Sequence, residues 1–147
     1  MSSTFKTSFR VSWTDTDAAQ VVHFPNYFKF FEKAEEELYR CLGLDVNDIA
    51  ERGIWLPRVE VFCQFKKSAR FNDLLEVELG IEDIKEKSIK YNFRVFNKES
   101  AVLLANGYVT VVAANRQTGK ATQIPKEIME KLKPYANDHR ENHPEDF

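Results

Sequence analysis

Between Asn26 and Leu42 the residues Tyr27, Phe31, Ala34, Leu38 and Leu42 are spaced by 4, 3, 4 and 4, which gathers them on one face of a helix. Lys29, Glu32, Lys33, Glu36 and Arg40 fall on the opposite side, and Pro25 suits the first turn. This is the one long amphipathic helix in the chain, so its apolar face needs a flat surface that the rest of the sequence must supply.

Strand periodicity supplies that surface. Phe9, Val11 and Trp13 alternate with Ser8, Arg10 and Ser12, so Phe5 to Trp13 reads as a strand that ends in the polar turn Thr14 to Asp17. After a short helix from Asp45, an N-cap candidate, to Arg52, with Gly53 as its stop, four strands are expected: Ile54 to Lys67, Leu74 to Glu86, Ser88 to Asn97 and Val102 to Ala114. Val77, Leu79 and Ile81 alternate with Glu76, Glu78 and Glu82, and Ile89, Tyr91, Phe93 and Val95 with Lys90, Asn92 and Arg94, which leaves one face apolar and one wet. Thr118-Gly119 signals a hairpin, a short strand is expected near Ala121 to Gln123, and Pro125 opens a terminal helix to Leu132. The pattern predicts an α+β domain over residues 1–135, an antiparallel sheet of five to six strands wrapped around one central helix. A doubly wound sheet would need a helix between most strands. The polar stretch 136–147 is expected to be a flexible tail.

Composition limits the function. A formal charge of −2 and the lack of a basic stripe argue against nucleic acid as a partner. The first residues show no signal-peptide pattern and no apolar run approaches about 18 residues, so a cytoplasmic protein without an integral membrane segment is expected. Cys41 and Cys63 show neither CxxC spacing nor a neighbouring His, which predicts buried thiols and no metal site.

Gly-rich phosphate loops, HExxH and GxSxG are all absent. What remains is Asp15 to Tyr27, which concentrates Asp15, Asp17 and His23 just ahead of the helix. Main-chain N–H groups in a first helical turn lack partners within the helix, so they can hold a developing oxyanion. A nearby Asp could attack a carbonyl or deprotonate water, and acyl transfer to water needs no more than these parts. Either Asp could equally be a turn residue that caps a backbone N–H. His23 could orient water or simply be packed, Tyr27 is core by its position with the option of bordering an acyl pocket, and Glu35 reads as a solvated flank of the helix. Lys66, Lys67 and Arg70 could meet phosphates at the sheet rim, but the preferred reading is edge-strand charges that discourage aggregation.

The run Asp15-Thr16-Asp17-Ala18-Ala19-Gln20-Val21-Val22-His23-Phe24-Pro25-Asn26-Tyr27, followed by Phe30-Phe31-Glu32 and by Phe65 to Glu78, resembles the 4-hydroxybenzoyl-CoA thioesterase family, including the acyl-CoA thioesterases of its Tol-Pal-associated branch. The resemblance spans about residues 5 to 133 and implies the hot-dog fold. It further implies hydrolysis of an acyl- or aryl-CoA thioester, with Asp17 as the catalytic carboxylate, the Phe24 backbone amide at the carbonyl, and His23 and Tyr27 beside them. Lys85 and Lys87 match the loop that contacts the CoA phosphates, CoA being part of the substrate and no cofactor being required. A homodimer with shared active sites, assembled as a dimer of dimers, is implied as well. The alternative is a hot-dog protein that binds acyl-CoA without hydrolysing it, as a sensor or carrier partner. Keeping both Asp17 and the helix entrance counts against it, since binding alone needs no carboxylate beside the thioester.

Overall fold

A computed structural model describes residues 4–136 of the chain. The first alternating run forms β1 (Phe5–Arg10), shorter than expected because Trp13–Asp15 winds into a 3-10 turn. The long helix α1 (Asn26–Cys41) and the short α2 (Val46–Glu51) follow, and the Asp45 carboxylate caps α2 by accepting from the Asn47 N–H at 2.8 Å. The single strand expected from Ile54 to Lys67 is two pieces, β2 (Ile54–Trp55) and β3 (Arg58–Phe65). Pro57 lies between them and has no N–H to give a ladder. β4 (Leu74–Ile84), β5 (Ser88–Asn97), β6 (Val102–Val112), β7 (Ala114–Asn115) and α3 (Lys126–Leu132) complete the order. Ala121 makes one bridge, to Ala114, so no separate strand forms at 121–123. Most of the expected tail, 137–147, lies outside the described residues.

All pairings in the main sheet are antiparallel and its order is β1-β4-β5-β6-β3, while β2 pairs with β7. The alternation read in the sequence places Leu75, Val77, Leu79 and Ile81 of β4 and Ile89, Tyr91, Phe93 and Val95 of β5 in the core, all buried. Helix α1 lies on them, with the Phe31 ring stacked on Phe93 at 4.5 Å and 5°. It buries a wider face than the sequence stripe, because Phe30 and Tyr39 flank the stripe and are also covered. Phe30 packs on Phe9 of β1, and the Tyr39 hydroxyl meets the Tyr91 hydroxyl at 2.7 Å. A sheet curved around one helix is the hot-dog fold.

Three expectations need correction. Cys41 is exposed, since it closes α1 where the chain turns away through Gly43 at φ 68°. Cys63 is half-buried on the core, and burial pushes its thiol up to about 12. Glu35 is buried at 6% exposure, because Arg58 of β3 reaches it with Nη2 2.6 Å from Oε1. Among the described residues no helix is long and apolar enough to cross a membrane.

The strands β1 and β3 are the two edges of the sheet, and β3 is the one with exposed apolar side chains on the helix side. Phe62 stacks on Tyr108, which carries the Lys90 ammonium over its ring, whereas Cys63 packs on the core and Phe65 lies against Tyr27. Alternation therefore aims Val61 toward the helix side with Cys63 and Phe65. Val61 and Phe65 are nevertheless 48% exposed and Val59 59%, so α1 leaves this edge of the apolar face uncovered.

Candidate active site

The segment between β1 and α1 is fastened by its first aspartate. Asp15 is 1% exposed, and its carboxylate accepts from the Ser12 N–H at 2.9 Å and from Lys29 Nζ at 3.2 Å. Its carbonyl accepts from the His23 N–H at 2.9 Å and from Asn26 Nδ2 at 2.8 Å. Asp15 is thus the turn residue expected, and a pin that fixes the segment to the start of α1. Lys29, assigned by periodicity to the solvated side, is its counter-ion.

Asp17 has the opposite surroundings. Its N–H donates to Val21 O and the Gln20 N–H donates back to Asp17 O, with Gln20 at φ 67°, so the chain reverses tightly. Thr16 bridges Val22, which returns His23 to the aspartate, Nδ1 lying 3.5 Å from Asp17 Oδ2. The Ala19 N–H donates to Oδ1 at 2.8 Å. The carboxylate is therefore oriented by one main-chain donor and one imidazole while its side chain stays 33% exposed. It is held in place and open to a reactant.

Phe24 follows His23 at the mouth of α1. The N–H groups of Asn26, Tyr27 and Phe28 close turns onto His23, Phe24 and Pro25 carbonyls. Among the described residues no acceptor engages the Phe24 N–H, which leaves a donor where the positive end of the helix lies. Its ring is 61% exposed and packs edge-on against Phe65. Tyr27 is buried, with its ring on Phe65 and Phe30, and burial raises its pKa. A cleft of about 270 Å³ opens here, lined by Val22, Phe24, Tyr27, Phe65, Lys66, Lys67 and Ser68, with Asp17 and His23 outside its lining and joined to it through the contact of His23 with Phe24.

The structure links Asp17 to His23, His23 to Phe24 through their rings at 5.3 Å, and Phe24 to Tyr27, but it does not bring Lys85 and Lys87 to them. Arg10, at the site end of β1, pairs with Leu74, whereas Lys85 and Lys87 follow the far end of β4. Eleven residues at about 3.4 Å each make that separation roughly 35 Å. The basic side chains at the mouth are instead Lys66 and Lys67, carried there because both their N–H groups donate to Leu104 O and because Val22 N–H donates to Ala69 O. Of the two sequence readings, the rim position is the one this placement agrees with. A second cleft, about 370 Å³, lies at the other end of the uncovered β3 edge, lined by Glu35, Tyr39, Trp55 and Arg58 among others.

An accessible carboxylate and an unengaged main-chain donor, both in the segment that leads into α1 of a hot-dog scaffold, are parts with which an activated acyl bond can be cleaved. The model of the thioesterase-like superfamily matches residues 11–132. The chain belongs to that superfamily. Its chemistry is thioester hydrolysis. A putative esterase of Aquifex aeolicus is 33% identical over 124 residues, covering 84% of this chain and 94% of that protein. The Escherichia coli acyl-CoA thioester hydrolase YbgC is 30% identical over 130 residues, covering 88% and 96%. The solved 1,4-dihydroxy-2-naphthoyl-CoA thioesterase Slr0204 of Synechocystis aligns with a TM-score of 0.85 at 26% identity, covering 88% of this chain and 96% of that one. The thioesterase described here shares their fold through the segments that build the mouth, since the match begins at the end of β1 and runs to α3.

Proposed function

We propose that this chain is an acyl-CoA thioesterase of the 4-hydroxybenzoyl-CoA type that works through Asp17. The observation that carries the reading is the juxtaposition at the helix mouth: an oriented, accessible carboxylate and the unengaged Phe24 N–H. The thioester oxygen accepts from the Phe24 N–H, which polarises the carbonyl. Asp17 either takes a proton from the attacking water or attacks the carbon itself to give a mixed anhydride that water then opens. In both routes the C–S bond breaks, CoA leaves as thiolate and takes up a proton, and the free acid is the other product. His23 orients the carboxylate, and Tyr27 with Phe65 forms the wall against which the acyl group lies.

The relatives' names, acyl-CoA thioester hydrolase and 1,4-dihydroxy-2-naphthoyl-CoA thioesterase, support a CoA ester as substrate. The rival is a protein that holds acyl-CoA without cleaving it. Thiol release from a panel of acyl- and aryl-CoA esters separates the two: we expect hydrolysis of at least one ester, and tight binding with no released thiol would support the rival.

The open β3 edge supports a homodimer in which two copies of β3 pair. An exposed strand edge with apolar side chains is a template for another strand. Antiparallel pairing over the full length of β3 sets its two ends together, so that the mouth at Phe65 meets the partner subunit's Arg58 and the second cleft beside it. The acyl site is then shared between subunits. If Lys85 and Lys87 contact CoA phosphates, they do so at another subunit's site, and a dimer of dimers would bring further copies within reach. Light scattering is expected to show at least a dimer for the parent chain and a folded monomer for Val61→Lys, with activity falling in step. A parent chain that is monomeric at assay concentration and still active would contradict the shared site.

A further inference from the structure

The loop that runs from the mouth carries groups the mechanism does not use. Lys66, Lys67 and Arg70 lie within five residues of one another, and among the described residues none has a carboxylate partner. Lys6, Lys29, Arg58 and Lys90 are all paired, and Lys85 lies 3.9 Å from Asp83, whereas Lys87 shares the unpaired state of the loop cations among the described residues. The nearby Asp73 carboxylate is occupied by the Arg70 N–H at 2.9 Å. At the end of the same loop stands Phe71, 55% exposed, with its ring 6.2 Å from that of Trp13, which is 79% exposed. Two large aromatic rings left in water side by side are costly unless something covers them.

The order of these groups matches the parts of a CoA ester. Phe24 and Phe65 mark the thioester end. Lys66 and Lys67 come next, on the rim of the mouth cleft. Arg70, Phe71 and Trp13 come last, and Phe65 to Phe71 spans at most about 20 Å of chain. A pantetheine arm of more than a dozen bonds bridges a gap of that kind. CoA then presents phosphates, which free cations attract, and an adenine, whose flat face stacks on aromatic side chains.

Resting on the acyl-CoA thioesterase reading, we propose that the nucleotide end of CoA binds on its own subunit along this loop, with Lys67 and Arg70 at the phosphates and the Trp13–Phe71 pair against the adenine. The chain's net charge of −2 gives no general attraction for a polyanion, so this local cluster supplies the attraction where it is needed. Lys85 and Lys87, at the far end of β4, are the competing assignment.

The test compares one CoA ester that the parent chain hydrolyses with the N-acetylcysteamine thioester of the same acyl group, which keeps the reacting bond and lacks the nucleotide. Lys67→Glu combined with Arg70→Glu is expected to raise KM for the CoA ester about tenfold, with kcat and hydrolysis of the short thioester within about twofold. Added salt is expected to raise the parent's KM and to leave that of the double variant flat. Since both side chains are on an exposed loop, thermal melting is expected to match the parent. An unchanged KM for the CoA ester overturns the proposal, as does an equal loss on both substrates. So does a larger effect from Lys85→Glu with Lys87→Glu. Failure of the parent to cleave either substrate would instead strike the thioesterase reading itself. A second measurement needs no turnover: in a Trp55→Phe background Trp13 is the one remaining tryptophan, and 3′,5′-ADP is expected to quench its fluorescence. Fluorescence that stays constant while calorimetry shows binding would remove Trp13 from the site.

Discussion

Asp17→Asn is expected to lower kcat/KM for any CoA ester the chain hydrolyses by at least about 100-fold, the scale of a lost general base or nucleophile. The substitution is close to isosteric and isolates the charge. The Asn side-chain oxygen still accepts from the Ala19 N–H, so the reversal at Gln20 and the bridge between Thr16 and Val22 have no reason to open. Melting temperature should therefore stay with the parent while thiol release collapses. Asp15→Asn gives the opposite pattern, because that carboxylate is buried against Lys29 and the Ser12 N–H and faces no cleft. It should cost stability of about 1–3 kcal/mol, the usual range when a buried partner is lost. Near-parental hydrolysis by Asp17→Asn would end the assignment of the carboxylate, whatever the fate of the fold.

The contrast between these two aspartates shows what sequence could and could not reveal. Both stand in one polar turn, and the local pattern treats them alike. What separates them is contact with Lys29 and Asn26, more than ten residues downstream, which buries one and frees the other. The helix and the inward faces of β4 and β5 were legible because their periodicity is local and each residue reports its own face. Glu35 was not, since its burial depends on Arg58, a strand away, and a helical wheel shows only its place at the rim of the stripe. The break at Pro57 was readable from chemistry alone, but the apolar run on either side outweighed it. Lys66 and Lys67 looked like edge charges because nothing in their neighbourhood foretells that Ala69 ties their loop to Val22. Phe24, His23 and Asp17 were placed together by a resemblance, and the geometry of that turn supplies the physical reason.

Gly107→Ala is expected to destabilise the chain by about 3 kcal/mol, at the upper end of what overpacking usually costs. A β-carbon at this position of β6 would sit 2.0 Å from the Phe62 backbone oxygen and 3.0 Å from the Cys63 Cα. No flexible side chain can yield there, so β3 itself has to move away from β6, and Gly107 lies opposite Cys63 in the middle of their pairing. The consequences go beyond stability. β3 carries Phe65 to Phe24 and Tyr27 at the mouth, and Arg58 to Glu35 at the second cleft. It is also the edge proposed to pair with a second copy. A strand pushed outward would loosen both clefts and the dimer together, although Asp17 and its loop are untouched. Chemical unfolding should show a lowered midpoint with little change in slope, and scattering a rise in monomer. Activity should fall through KM more than kcat, because the acyl wall is lost while the carboxylate and the Phe24 N–H stay in place. A Gly107→Ala chain as stable as the parent would mean that the edge strand tolerates displacement, and the dependence of the mouth on this one close approach would have to be abandoned.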